Sequence, residues 1–188
     1  MGVTAAQMLL QQGEIERHTC QRMALYWAFS KLIANSDMHQ GNLSFLRPEQ
    51  HPVAMAPLYD MLPMAFAPSG NGNMRREAVA IRLSHEVSGT IWRQAELLAL
   101  EFWRRTALCP QISDEFRTIA AQMLAQLQKL NFHIARLARL SASSLLPAAV
   151  TVHRLPPYRL PPTVYWRLAG MATAASGCVG VAAGCAPE

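Results

Sequence analysis

A mainly α-helical fold with small β elements is what this sequence predicts, and three features predict it. Apolar residues recur at helical spacing in three stretches, marked by Leu25, Phe29 and Leu32, by Ile91, Ala95 and Phe102, and by Ile119, Met123, Leu127 and Ile134. Between the first two stretches lie only short runs of strand character, interrupted by prolines and glycines. The 188 residues are 51% hydrophobic and only 15% charged, which suits one domain with a substantial core rather than two.

Taken in order, Thr4 is placed to cap a short helix that ends at Gly13. A longer helix follows from Glu14. Its Met23, Tyr26 and Trp27 make it apolar on several faces, the mark of a helix surrounded by other elements. It stops at Asn35-Ser36-Asp37, short polar residues that favour local turn bonds. Residues Leu43–Leu46 and Val53–Ala56 predict a hairpin joined around Pro48–Pro52. Pro57–Pro68 reads as irregular, Ser69–Asn73 as a flexible tip, and Ala78–Leu83 as a further strand. Thr90 is placed to cap the next helix, which ends before Pro110. Ser113 caps the last helix, with Asp114 and Glu115 at the positive end of its dipole and Arg136 and Arg139 near the other.

The bulk properties exclude several classes. A net charge of +5 suits acidic ligands such as nucleotides, yet no Lys/Arg block marks a DNA-binding arm. Cys20, Cys109, Cys178 and Cys185 form no CxxC and no zinc spacing, so they read as reduced thiols of a cytoplasmic protein. Met1–Gln12 lacks the basic start and apolar run of a signal peptide. The most membrane-like stretch, Val164–Ala183, is broken by Arg167, so no membrane partner is expected.

The residues with chemical content cluster in Asn35-Ser36-Asp37-Met38-His39-Gln40-Gly41-Asn42 and Pro57-Leu58-Tyr59-Asp60. Phosphoryl transfer needs a carboxylate beside the attacking hydroxyl and hard oxygen ligands for magnesium. Asp37 and Asn42 stand five residues apart, as a kinase base and its metal-binding Asn do, and Asp60 follows the predicted hairpin where a second metal ligand belongs. Ordinary turn formation accounts for one such Asp but not for three matched positions. The other candidates are weaker. His85-Glu86 lacks a second histidine, the Gly70–Asn73 tip lacks a following Lys-Ser/Thr, and Trp27, Trp92 and Trp103 fall at helical core spacing.

The wording of these segments is more specific than their spacing. Leu32 to Ser44 resembles the catalytic loop of HipA-type serine/threonine kinases, the toxins of bacterial toxin–antitoxin pairs, and Pro57-Leu58-Tyr59-Asp60-Met61-Leu62 resembles that family's metal-binding motif. The resemblance is specific over about Leu32–Pro68, diffuse to Leu140 and absent beyond. It implies the C-terminal lobe of a protein-kinase-like fold over residues 1–140. It implies Asp37 as catalytic base, His39 as the loop histidine of the catalytic set, Asn42 and Asp60 as magnesium ligands, and ATP as phosphate donor. It also implies a protein substrate and an antitoxin or DNA-binding partner.

A kinase further needs a glycine-rich loop and a phosphate-pairing lysine ahead of the catalytic loop. Residues 1–36 read as helix, and the two lysines, Lys31 and Lys129, are both misplaced for that role. Ala78–Arg82 has the look of a lysine-bearing strand but carries Arg and follows Asp60. The chain is thus expected to be truncated at its N-terminus and inactive by itself. Two other readings stand beside this one: a non-catalytic module that binds a partner, and a magnesium-dependent nuclease built on Asp37, His39 and Asp60. Residues 141–188 contain no Asp, Lys, Asn, Gln, Ile or Phe and six of the twelve prolines, so they read as a disordered extension or as translation in a shifted frame.

Overall fold

The computed structural model of the chain describes residues 2–46 and 52–143. Four helices and one small sheet make up the described part: α1 (Gly2–Gln11), α2 (Arg17–Leu32), β1 (Phe45–Leu46), β2 (Ala54–Met55), α3 (Gly89–Leu108) and α4 (Asp114–Ser143). Single 3-10 turns occur at Gln40–Asn42 and Met64–Phe66. Helix α3 packs against both α2 and α4, and α1 against α2. The fold is mainly helical, with β1 and β2 paired antiparallel in the register Phe45–Met55 and Leu46–Ala54. None of the described helices is long and apolar enough to cross a membrane.

Helix α2 is embedded as its all-round apolar character predicts, with Met23, Leu25, Phe29 and Leu32 all buried. Leu32 ends it with a carbonyl that needs a donor. The donor is the buried indole Nε1 of Trp103 on α3, 3.0 Å away. An aromatic cluster continues this contact. Phe102 meets Phe29 edge-on at 6.1 Å, and Phe66 meets both Trp103 (6.1 Å) and Phe116 of α4 (6.0 Å) edge-on. Phe66 belongs to the irregular segment after Asp60, so this cluster fixes that segment against the helices.

Several sequence expectations are corrected in detail. Thr4 lies inside α1, which already begins at Gly2. Helix α2 starts at Arg17 rather than Glu14, behind an extended Glu16. Ser88, not Thr90, caps α3, its hydroxyl accepting from the Ile91 N–H. Gly89 permits this earlier start, because a Cβ there would stand 2.2 Å from the Ala138 nitrogen and the Leu137 carbonyl carbon of α4. Ser113 does cap α4, accepting from the Phe116 N–H at 3.3 Å. That helix runs on to Ser143, so Arg136 and Arg139 precede its last turn. Ala78–Leu83 forms no strand, because no neighbouring strand lies beside it among the described residues. His85 and Glu86 sit in a turn. The turn expected at Pro48–Pro52 falls largely, and the tail from residue 144 wholly, outside the described residues.

Candidate active site

The site begins where α2 ends. After Leu32 and Ile33 the chain reverses through Ala34, which has a left-handed φ of 59°. The Asn35 N–H bonds to the Ser30 carbonyl at 2.8 Å and the Ala34 N–H to Lys31 at 3.3 Å. Those two bonds are the Schellman closure, in which glycine usually holds the left-handed position. An alanine there costs about 1–2 kcal/mol of backbone strain. The Ala34 carbonyl, turned outward by this conformation, accepts from the Ala65 N–H at 3.0 Å.

Asn35 is buried and reaches in two directions. Its Oδ1 accepts from the Asp37 N–H at 3.0 Å, and its Nδ2 donates to the Asp60 carbonyl at 3.3 Å. Asp60 is itself left-handed, with φ 56°. Left-handed non-glycine residues persist only where their surroundings hold them, and they collect at functional sites. Ala34 and Asp60 meet this description on either side of the same amide.

The loop from Asp37 to Asn42 is shaped by its own side chains. His39 caps the 3-10 turn: its Nδ1 accepts from the Gly41 N–H at 2.9 Å, while its own N–H donates to Asn42 Oδ1 at 2.9 Å. The His39 ring lies close enough that a Cβ on Gly41 would meet its Cε1 at 2.8 Å, so a side chain there would push the ring aside. Asn42 is buried, and its Nδ2 donates to Asp60 Oδ2 at 3.3 Å. Tyr59 adds a second tie, donating to the Gly41 carbonyl and pairing with the Ser44 hydroxyl at 2.9 Å.

Of the residues read from sequence, Asn42 and Asp60 therefore meet head to head. Asp37 joins them through its backbone, by way of Asn35. Its carboxylate is exposed and makes no hydrogen bond or ion pair among the described residues, so it is accessible to an incoming hydroxyl. His39 is exposed and turned onto its own loop. Asn35 and Tyr59, which spacing did not single out as site residues, are what join the two segments. Both lie inside the quoted motifs, and that is the signal that marks them.

The donor set suits magnesium. Asn42 and Asp60 both carry hard oxygen atoms of the kind magnesium takes, and the two heads meet through Asn42 Nδ2 and Asp60 Oδ2 at 3.3 Å. To hold an ion there, Asn42 would turn its amide so that Oδ1, which accepts from the His39 N–H, replaces the Nδ2 that faces Asp60. Among the described residues no three His, Cys, Asp or Glu side chains gather as a metal cluster. The remaining ligands of a magnesium ion would then be water and phosphate.

Comparison with known proteins places these residues in a family. The family described as HipA-like C-terminal domain matches residues 3–130, which include Asp37, Asn42 and Asp60. Toxin YjjJ of Escherichia coli (strain K12) is 40% identical over 133 residues. Those residues are 71% of this chain and 30% of that relative, so the chain spans about a third of the length of the curated protein it matches. No solved structure matches the chain.

Proposed function

The chain belongs to the family of HipA-like C-terminal domains, and from that premise we propose that it is the acceptor- and metal-binding part of a serine/threonine protein kinase of toxin–antitoxin type. The observation that carries this reading is the meeting of the Asn42 amide and the Asp60 carboxylate, 3.3 Å apart, with Asp37 tied to the same point through Asn35.

On this reading the exposed Asp37 carboxylate orients the substrate hydroxyl and takes its proton as the oxygen bonds to the γ-phosphorus of ATP. The bond from that phosphorus to the ADP oxygen breaks in the same displacement. Asn42 and Asp60 would hold magnesium, which neutralises charge on the phosphate oxygens. Asn35 and Tyr59 keep the two halves of the site in register. His39 acts as a positioning residue, with Nδ1 engaged by Gly41. The clamp for adenine and phosphates lies, on this reading, in a separate segment, since residues 2–11 and 17–32 are helix. An antitoxin or DNA-binding protein is the partner proposed for the complete protein. The nuclease alternative on Asp37, His39 and Asp60 draws less support, because the His39 ring faces Gly41.

The test is phosphate transfer from γ-labelled ATP to a protein acceptor, by this chain alone and by this chain joined to the remaining part of Toxin YjjJ. The joined protein should transfer, the chain alone should not, and Asp37→Ala should lower the rate by roughly 10²–10⁴-fold. Undiminished transfer by Asp37→Ala would overturn the assignment.

A further inference from the structure

Beside the loop that carries Asp37 lies a cavity of about 400 Å³, whose lining includes Lys31 of α2, the loop residues Asn35 and Ser36, and the consecutive residues Val79–Ser84. Three observations describe what it would hold. First, among the described residues the backbone N–H and C=O groups of Ala78–Leu83 make no hydrogen bond. Residues Val79 to Leu83 nevertheless alternate between half-buried and exposed, the period of an extended segment. Backbone groups left open in that pattern are an edge on which another extended chain can pair.

Second, the cavity carries two cations and no carboxylate. Lys31 stands over the Trp27 ring at 4.7 Å, and neither Lys31 nor Arg82 has an acidic partner among the described residues. Third, Asn35 and Ser36 line the cavity, and the exposed Asp37 is the next residue. An occupant of the cavity therefore touches the two residues that directly precede Asp37 in the chain.

We propose that this cavity docks an extended acidic segment of the protein substrate, paired through its backbone with Ala78–Leu83, with a Glu or Asp side chain between Lys31 and Arg82. An extended chain advances about 3.3 Å per residue. A Ser or Thr within about three residues of that acid then reaches Asp37. The mostly apolar walls and the open backbone favour a peptide over a nucleic acid, which would find two cations but no use for the edge. The inference deepens the kinase reading and rests on it for the word substrate.

Binding is read separately from transfer. The probes are fluorescein-labelled nonapeptides with a central Ser and alternating Val and Glu, against the same peptides with Lys or Gln in place of Glu. The readout is fluorescence anisotropy with the 188-residue protein. The Glu peptide should bind at least about tenfold more tightly than the Lys peptide. The double variant Lys31→Gln, Arg82→Gln should lose that preference while keeping the wild-type melting temperature. N-methylation of one alternate set of peptide amides should abolish binding and of the other set should not, a contrast that leaves the protein untouched. Equal binding of Glu and Lys peptides, indifference to both N-methyl sets, or uptake of oligothymidylate or ATP in place of the peptide would overturn the proposal. Because the assay needs no catalysis, absence of selective binding leaves the kinase reading standing. Failure of Asp37→Ala to lower transfer leaves the docking result standing.

Discussion

Replacing Asn35 with Ala removes the side chain that joins the two halves of the site, and the expected loss follows from its bonds. Asn35 is only 3% exposed. Its Oδ1 serves the Asp37 N–H, and its Nδ2 serves the Asp60 carbonyl. Each such bond contributes about 0.5–1.5 kcal/mol net, and a buried partner left without one adds its desolvation penalty. The two bonds to oxygen and nitrogen partners, one of them long at 3.3 Å, give an expected loss of about 2–3 kcal/mol, and the Nδ2 contact to Met61 Sδ at 3.7 Å adds little to it. Asp60 also sits at φ 56°, a conformation worth about 1–3 kcal/mol of strain that its contacts must hold. The loss should therefore be accompanied by local loosening at Asp37 and Asp60. Urea unfolding gives the stability change, and amide hydrogen exchange gives the protection of the Asp37 N–H. Asn35→Asp keeps an acceptor for Asp37 but sets an oxygen against the Asp60 carbonyl. It should retain Asp37 protection and still lose stability. If Asn35→Ala unfolds within about 0.5 kcal/mol of wild type with Asp37 still protected, the amide does not hold the site together.

Three further outcomes test the frame around the site. Trp103→Phe keeps most of the ring packing but leaves the Leu32 carbonyl without its donor, and urea unfolding should report a loss of about 2–3 kcal/mol. Gly89→Ala drives a Cβ into the α4 backbone at Leu137 and Ala138, and should cost at least about 1–3 kcal/mol in the same assay. Arg104 and Arg105 hold the Glu101 carboxyl down at about 2, below its ordinary 4.5. Its folded pKa is depressed, so its contribution is complete above 4.5 and is lost as pH falls through 2. The triad is exposed, so the melting temperature should fall by only about 1–4 °C from this source. Glu101→Gln should abolish that part of the acid sensitivity.

The helices were legible because their apolar spacing reflects burial: Phe29, Phe102, Ile119 and Leu127 all lie in the core. The family was legible in two short segments, Leu32–Ser44 and Pro57–Leu62, because each keeps its chemistry within a few consecutive residues. The predicted strand at Ala78–Leu83 failed for a non-local reason. Val79, Ile81 and Leu83 have strand character, but a strand exists only with a partner, and sequence does not say where partners are. Ala34 and Asp60 carry no sequence mark of a left-handed backbone, because neither is glycine. The role of Tyr59 likewise depends on the Gly41 carbonyl, 18 residues earlier. Thr90 was the cap the sequence offered, but Ser88 holds that position and Gly89 between them lies against the α4 backbone.

On the proposed reading, Asn42 and Asp60 form one oxygen site for magnesium beside Asp37. A magnesium titration of the isotope-labelled chain, followed at the Asn42 side-chain amide by NMR, tests it most directly. The amide now donates to Asp60, so an ion taken up between the two heads must break that bond. The predicted result is a saturable shift of the Asn42 amide resonances, with the His39 and Asp60 backbone amides moving alongside. The same titration of Asp60→Ala should leave them in place. An Asn42 amide that stays still at millimolar magnesium, or that shifts equally in Asp60→Ala, would contradict the account.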